Sequence, residues 1–203
     1  MAANPGSAAL RRVSLLALVL VAAQACGSKS GDDAADVVDV DAATEIEAVA
    51  ATPADISGLS INADSFQCLG KMTAIRHFFV DNLLGELEAT VAVAESLEGG
   101  VYPPGSVVQL VPTEVMVKHA PGWNAATKDW EFFELDVSAD GSSIRHRGFV
   151  DVVNRFGGNC FDCHVKAEDK YDLICELEHG CDPIPVTREM IAAIQAADPR
   201  CPN

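Results

Sequence analysis

Cys160-Phe161-Asp162-Cys163-His164 is the stretch of this 203-residue chain whose residue types and spacing could do the most chemistry. Two thiols separated by two residues, with an imidazole directly after, form the attachment sequence of c-type haem. Each thiol adds across one vinyl group, and the adjacent imidazole then reaches the iron as proximal ligand. Two other chemistries use a Cys-x-x-Cys pair. A zinc site wants a second Cys/His pair at similar spacing, and none follows. A thioredoxin-like redox pair wants a strand before it and a helix opening at the first cysteine. Here Phe156-Gly157-Gly158-Asn159 precedes the pair and reads as loop. One covalent haem c on Cys160, Cys163 and His164 is the expectation, with zinc and dithiol chemistry as alternatives.

A sixth iron ligand is harder to read. Met72, His77 and Met190 are candidates by type, but methionine is a common core filler and each has a plainer reading as packing. His119, His146 and His179 sit beside charged or polar residues and are expected to face solvent. Arg145 and Arg147 alternate out of one strand, where a guanidinium fork could match a haem propionate or simply cover surface. Trp130, Phe132 and Phe133 suit either a haem pocket or plain sheet core. No serine–histidine–acid order, phosphate-binding glycine loop or paired-carboxylate site stands out.

The start of the chain reads as an address. Arg11 and Arg12 precede an apolar run of 11 residues from Val13 to Ala23, too short to span a bilayer and typical of a secretory signal. The run ends at Ala23-Gln24-Ala25-Cys26. That suits signal peptidase cutting before Cys26, and it also resembles a bacterial lipobox in which Cys26 is acylated. Residues 27–55 are rich in acids, Ala, Gly and Ser with few large apolar side chains, a solvated tether that makes sense behind an anchored cysteine. The expected organisation is a lipoprotein-type signal at 1–25, an acidic tether at 26–57 and a haem domain at 58–203. The protein would then sit on the periplasmic side of a bacterial membrane. Cys68, Cys175, Cys181 and Cys201 remain after lipid and haem, most simply two disulfides of unspecified pairing in an oxidising compartment.

The formal charge is −16 and becomes more negative once Arg11 and Arg12 leave with the signal. Such a balance argues against nucleic acid and against direct adhesion to anionic lipid, so membrane contact is expected only through the anchor. It leaves a basic redox partner protein, or solubility alone, as its use, and a homodimer open.

These residues need elements to hold them. Cys68, Leu69, Met72, Ile75, Phe79, Val80 and Leu83 recur at helical spacing, with Asp64 or Ser65 as cap and Gly85 as end. Leu87, Ala89, Val91 and Val93 alternate with their neighbours as in a half-buried strand. Val107–Val111 and Val115–Val117 are β-branched runs around Pro112, which suggests a bulge or a break. Trp130–Val137 and Ile144–Val153 flank Asp140-Gly141, a hairpin turn. Helices are expected at Ala167–Leu177 and, capped by Thr187, through Ala197. The fold class is α+β: four to six antiparallel strands behind an N-terminal amphipathic helix, with short C-terminal helices.

From about Leu87 to His164 the order of features resembles the cytochrome P-460 and cytochrome c′-beta family. The resembling segments are Tyr102-Pro103-Pro104-Gly105-Ser106-Val107, then Gly122-Trp123 with Trp130-Glu131-Phe132-Phe133, then the late Cys160–His164 motif. The resemblance implies a sheet around one covalent haem, Cys160 and Cys163 as thioether residues and His164 as proximal ligand. It also implies an open distal face for nitric oxide or hydroxylamine. A sixth ligand there would make an electron carrier instead. The P-460 type further cross-links a lysine to the porphyrin, and that residue does not transfer. Gln109 and Leu110 stand where it is expected, and Lys118 and Lys128 read as surface. A secreted disulfide-bonded module without haem is the remaining alternative.

Overall fold

The computed structural model describes residues 59–176 and 178–202. The readings of residues 1–57, Cys26 included, lie outside them. Six strands form one antiparallel meander in chain order: β1 (Thr73–Ile75), β2 (Phe78–Asn82), β3 (Ser106–Val111), β4 (Glu114–Lys118), β5 (Trp130–Ser138) and β6 (Gly141–Gly148). Helix α1 (Leu87–Glu95) joins β2 to β3, α2 (Cys160–His164) follows the sheet, and α3 (Arg188–Ala196) lies near the C-terminus. The α+β expectation holds, at the upper end of its strand range. Among the described residues, no helix is long and apolar enough to cross a membrane.

Side chains alternate across the sheet, and both faces are covered. On one face Val108, Met116, Trp130 and Phe132 pack with Tyr102, Val152, Leu173, Ile174 and the half-buried Cys160 and Phe161. On the other, Val107, Val115, Val117, Phe133 and Leu135 pack under Leu59, Ile61 and Phe66. Period two puts successive residues of β4 and β5 into different cores. That is why Trp130 to Leu135 is an unbroken buried run.

Several expectations are corrected. The helix expected across Cys68–Leu83 is a short 3-10 turn at Leu69–Lys71 followed by the β1–β2 hairpin. Arg76 turns that hairpin at φ 49, a left-handed conformation no right-handed helix continues through. The strand expected from Leu87 is α1. Its buried residues are Thr90 and Ala94, one helical turn apart, and Ala, Leu and Glu favour that state. A helix therefore does precede Tyr102, though not the one expected.

Pro112 breaks the β3–β4 hairpin beside a register shift between Gln109 and Val111, as its position suggested. The β5–β6 turn pairs Ser138 with Gly141. β6 ends early, at Gly148, where a Cβ would come within 3.0 Å of Asp151 Oδ1. The helix expected at Ala167–Leu177 is only a 3-10 turn at Asp169–Tyr171, because Asp172 (φ 52) and Leu173 (φ 65) are both left-handed. α3 forms as expected, with Thr187 Oγ1 accepting from Met190 N at 3.3 Å. Its Met190 and Ile194 are exposed rather than packed, and Ile191 alone is buried.

Candidate functional site

The segment after β6 builds the site. Asn154 Oδ1 accepts from Phe156 N and Gly158 N, which closes the glycine loop. Asn159 pairs with Val153, donates Nδ2 to Val150 O at 2.8 Å, and caps α2 by accepting from Asp162 N at 2.9 Å. Cys160 N donates to Val152 O at 3.0 Å. Phe156–Asn159 is loop as expected, and the helix opens at Cys160, one feature the dithiol alternative wanted.

On α2, Cys160, Cys163 and His164 stand at positions i, i+3 and i+4, which share one helix face. Cys160 and Cys163 are free, while Cys68–Cys201 (2.04 Å) and Cys175–Cys181 (2.01 Å) are disulfides. The two-disulfide expectation is met, and the pairing is now fixed. Burial pushes the Cys160 thiol up to about 12, with Glu114 and Glu134 adding to it. A thioredoxin-like nucleophile needs the opposite shift, since the thiolate is the reacting form. Among the described residues, the one convergent trio of ligand types is Cys68, Asp198 and Cys201, whose two sulfurs are already bonded to each other. The raised Cys160 thiol does not suit a thioredoxin-like nucleophile, although the helix does open there.

His164 is the most constrained member. Its ring packs against Phe132 at 5.4 Å, and its Nδ1 lies 2.7 Å from Leu173 O. A carbonyl only accepts, so Nδ1 carries the hydrogen and Nε2 the lone pair. Burial holds the imidazole below its ordinary value, opposed by that hydrogen bond, so it stays neutral and able to ligate. Val150, Val153, Phe156 and Val165 flank the motif exposed, Phe156 at 80%. Two free thiols and a neutral imidazole with Nε2 available, with exposed apolar residues on either side in the sequence, are the residue types a covalently held porphyrin needs.

Lys118 is not on the surface. Its ammonium meets Lys128 O at 2.6 Å and both Asp172 oxygens at 2.8 and 2.9 Å, using its three hydrogens. Burial lowers Lys118 and raises Asp172, each toward its neutral form, and their mutual attraction opposes both shifts. Lys128 itself is paired with Asp169 at 2.5 Å on the exterior. A cleft of about 520 Å³ opens beside these residues and His119, lined by Tyr102, Pro103 and Pro104.

His119 is also buried, 2.8 Å from Glu131 and stacked on Trp123, and His179 stacks on Tyr171. Both were expected in solvent; His146 is there. His77 Nδ1 lies 3.6 Å from Glu176. Arg147 binds Glu131 and covers Phe133, on the sheet face opposite Phe132, so it is not placed for a propionate near Cys160. Arg145 is exposed. Trp130 and Phe132 share the core of Cys160, whereas Phe133 faces away. The sequence reading missed Asp172 and Leu173, which no local pattern marks, and Glu114 and Glu134, which only their β4–β5 register brings together.

No family model, curated protein or solved structure matches the chain.

Proposed function

We propose that the chain is an exported, lipid-anchored monohaem c-type cytochrome of the P-460 and c′-beta kind. Cys160 and Cys163 hold haem c by thioethers, and His164 takes the iron through Nε2. The observation that carries the reading is the Nδ1 hydrogen bond of His164 to Leu173 O, made one residue from a free thiol. It gives an imidazole of fixed tautomer, as an axial ligand requires. When bound, the group supplies an iron that takes up a small ligand or an electron.

This chain's residues do the rest. Phe132 packs on the ring of His164, and the exposed Val150, Val153, Phe156 and Val165 would give a bound haem apolar side chains to cover. His119 is engaged by Glu131, His77 lies toward Glu176 and Met190 is exposed, which favours an open distal face for nitric oxide or hydroxylamine. Lys118 is committed to Asp172, so ligand binding rather than cross-link-dependent hydroxylamine oxidation is the activity proposed.

A second reading has one observation behind it. Met116 is buried in the cluster that holds Cys160 and Phe132, so a thioether is at hand for a six-coordinate electron carrier meeting a redox partner protein. The test is an optical spectrum of the dithionite-reduced protein, made with the haem-attachment machinery, before and after carbon monoxide. A shift with the gas supports the open site. A spectrum indifferent to it supports the carrier. A colourless protein refutes both and leaves the disulfide-bonded module.

A further inference from the structure

We propose that the buried Lys118–Asp172 pair is a positioning device that, through the Asp172–Leu173 turn, decides which ring nitrogen His164 keeps free. The proposal rests on the reading of His164 as iron ligand, and its first measurement needs no haem.

Asp172 and Leu173 are consecutive left-handed residues, at φ 52 and 65. L-residues other than Asn and Asp rarely enter this region, and a bulky leucine persists there only when its surroundings over-determine it. Three separate parts of the fold supply that constraint. From β4, Lys118 grips both Asp172 oxygens. From the loop before β3, Tyr102 N donates to Asp172 Oδ2 at 2.9 Å. From β5, Trp130 Nε1 donates to Asp172 O at 2.7 Å.

Lys118, Asp172 and Trp130 are all buried, so in the folded chain protein groups make these contacts, with the cleft opening beside Lys118 and Asp172. The next carbonyl in the chain is Leu173 O, the acceptor for His164 Nδ1. Phe132, against which the His164 ring packs, stands on the same strand as Trp130 and the same sheet face. Sheet, ion pair, turn and imidazole therefore form one continuous scaffold. Partners of this kind orient a metal ligand and set its basicity without touching the metal. With the pair removed, the turn relaxes, Leu173 O leaves Nδ1, and the ring is free in both tautomer and rotation.

The test begins with the full haem-free chain labelled with ¹⁵N-histidine, His164 being assigned by its loss in His164→Gln. In the wild type His164 is expected as a single Nδ1–H tautomer; an Nε2–H tautomer there overturns the proposal with no further variant. In Lys118→Met/Asp172→Ala, both tautomers are expected. That double variant leaves no buried charge unpaired, removes the acceptor that Lys118 and Tyr102 N hold, and puts at the turn a residue that does not favour the left-handed region. A single Nδ1–H tautomer in the folded double variant overturns the proposal.

Asp198→Asn is the control, because it breaks another buried ion pair, with Arg200, and is expected to lower stability without changing the tautomer. A tautomer lost in the control as well assigns the effect to general loosening and overturns the proposal. In the haem-loaded chain, the iron–histidine stretching band of the ferrous form is expected to move to lower wavenumber in the double variant only. An unmoved band overturns the positioning role. If the chain takes up no haem, the proposed function fails while the tautomer measurement still decides the role of the pair.

Discussion

Cys160 and Cys163 differ in what surrounds their sulfurs. Cys160 lies half-buried against the sheet with its thiol pushed up by burial and two carboxyl groups, and Cys163 is exposed. In the haem-free chain at pH 8, iodoacetamide is therefore expected to modify Cys163 well before Cys160, read by peptide mass; equal rates would contradict the buried placement. Glu114 makes a second prediction. Burial, with Glu134 opposite, raises its carboxyl above the ordinary value in the folded chain. A raised carboxyl means the folded state holds the proton longer, so stability falls as pH rises from the unfolded value through the folded one. Glu114→Gln removes that penalty and keeps an acceptor for Asn154. It is expected to raise the melting temperature at pH 7, with the gain vanishing below about pH 4. A gain that persists in acid would contradict the assignment. That Cys160, Cys163 and His164 share one short stretch was legible in the sequence because their spacing is a local pattern. Lys118, Asp172, His119 and Glu131 were not, because burial depends on what the fold brings from 54 or 12 residues away.

Elements were legible where local chemistry and fold agree. The β-branched runs around Pro112, the Asp140-Gly141 turn and the Thr187 cap each placed a boundary to within a few residues. Residues 68–83 and 87–94 were misread because their spacing fits both periods. In the first, the apolar steps of a helix are also met by a hairpin whose Ile75, Phe78 and Val80 face one core. In the second, alternation masked a run of good helix formers, and contact with β1 and β2 decided. Tertiary ties also fix the ends of the domain. Cys68–Cys201 closes a separation of 133 residues, and Cys175–Cys181 one of 6. In the chain-entropy account, removing the first pair costs about 5 kcal/mol and the second about 2 kcal/mol. Denaturant unfolding of Cys68→Ala/Cys201→Ala and Cys175→Ala/Cys181→Ala is expected to keep that order, and the reverse order would contradict it.

At the scale of the whole molecule, the sheet is covered on both faces, and among the described residues the exposed large apolar side chains lie outside its strands. Val150, Val153, Phe156 and Val165, which flank α2 in the sequence, are among them. Exposed apolar groups clustered on a folded chain mark a surface that something else covers. With haem as the cover, Cys160→Ala/Cys163→Ala is expected to bind a hydrophobic dye more strongly than the loaded protein, and equal binding would leave these exposed residues unexplained. The formal charge of −16 disfavours contact with a polyanion such as nucleic acid. All of this hangs on whether α2 carries the porphyrin. The most direct measurement is the intact mass, under denaturing conditions, of the chain expressed with the haem-attachment machinery. The chain plus one haem, reduced to the bare chain in Cys160→Ala/Cys163→Ala, is the result predicted. A wild-type chain at its bare mass with both thiols open to alkylation would contradict the account.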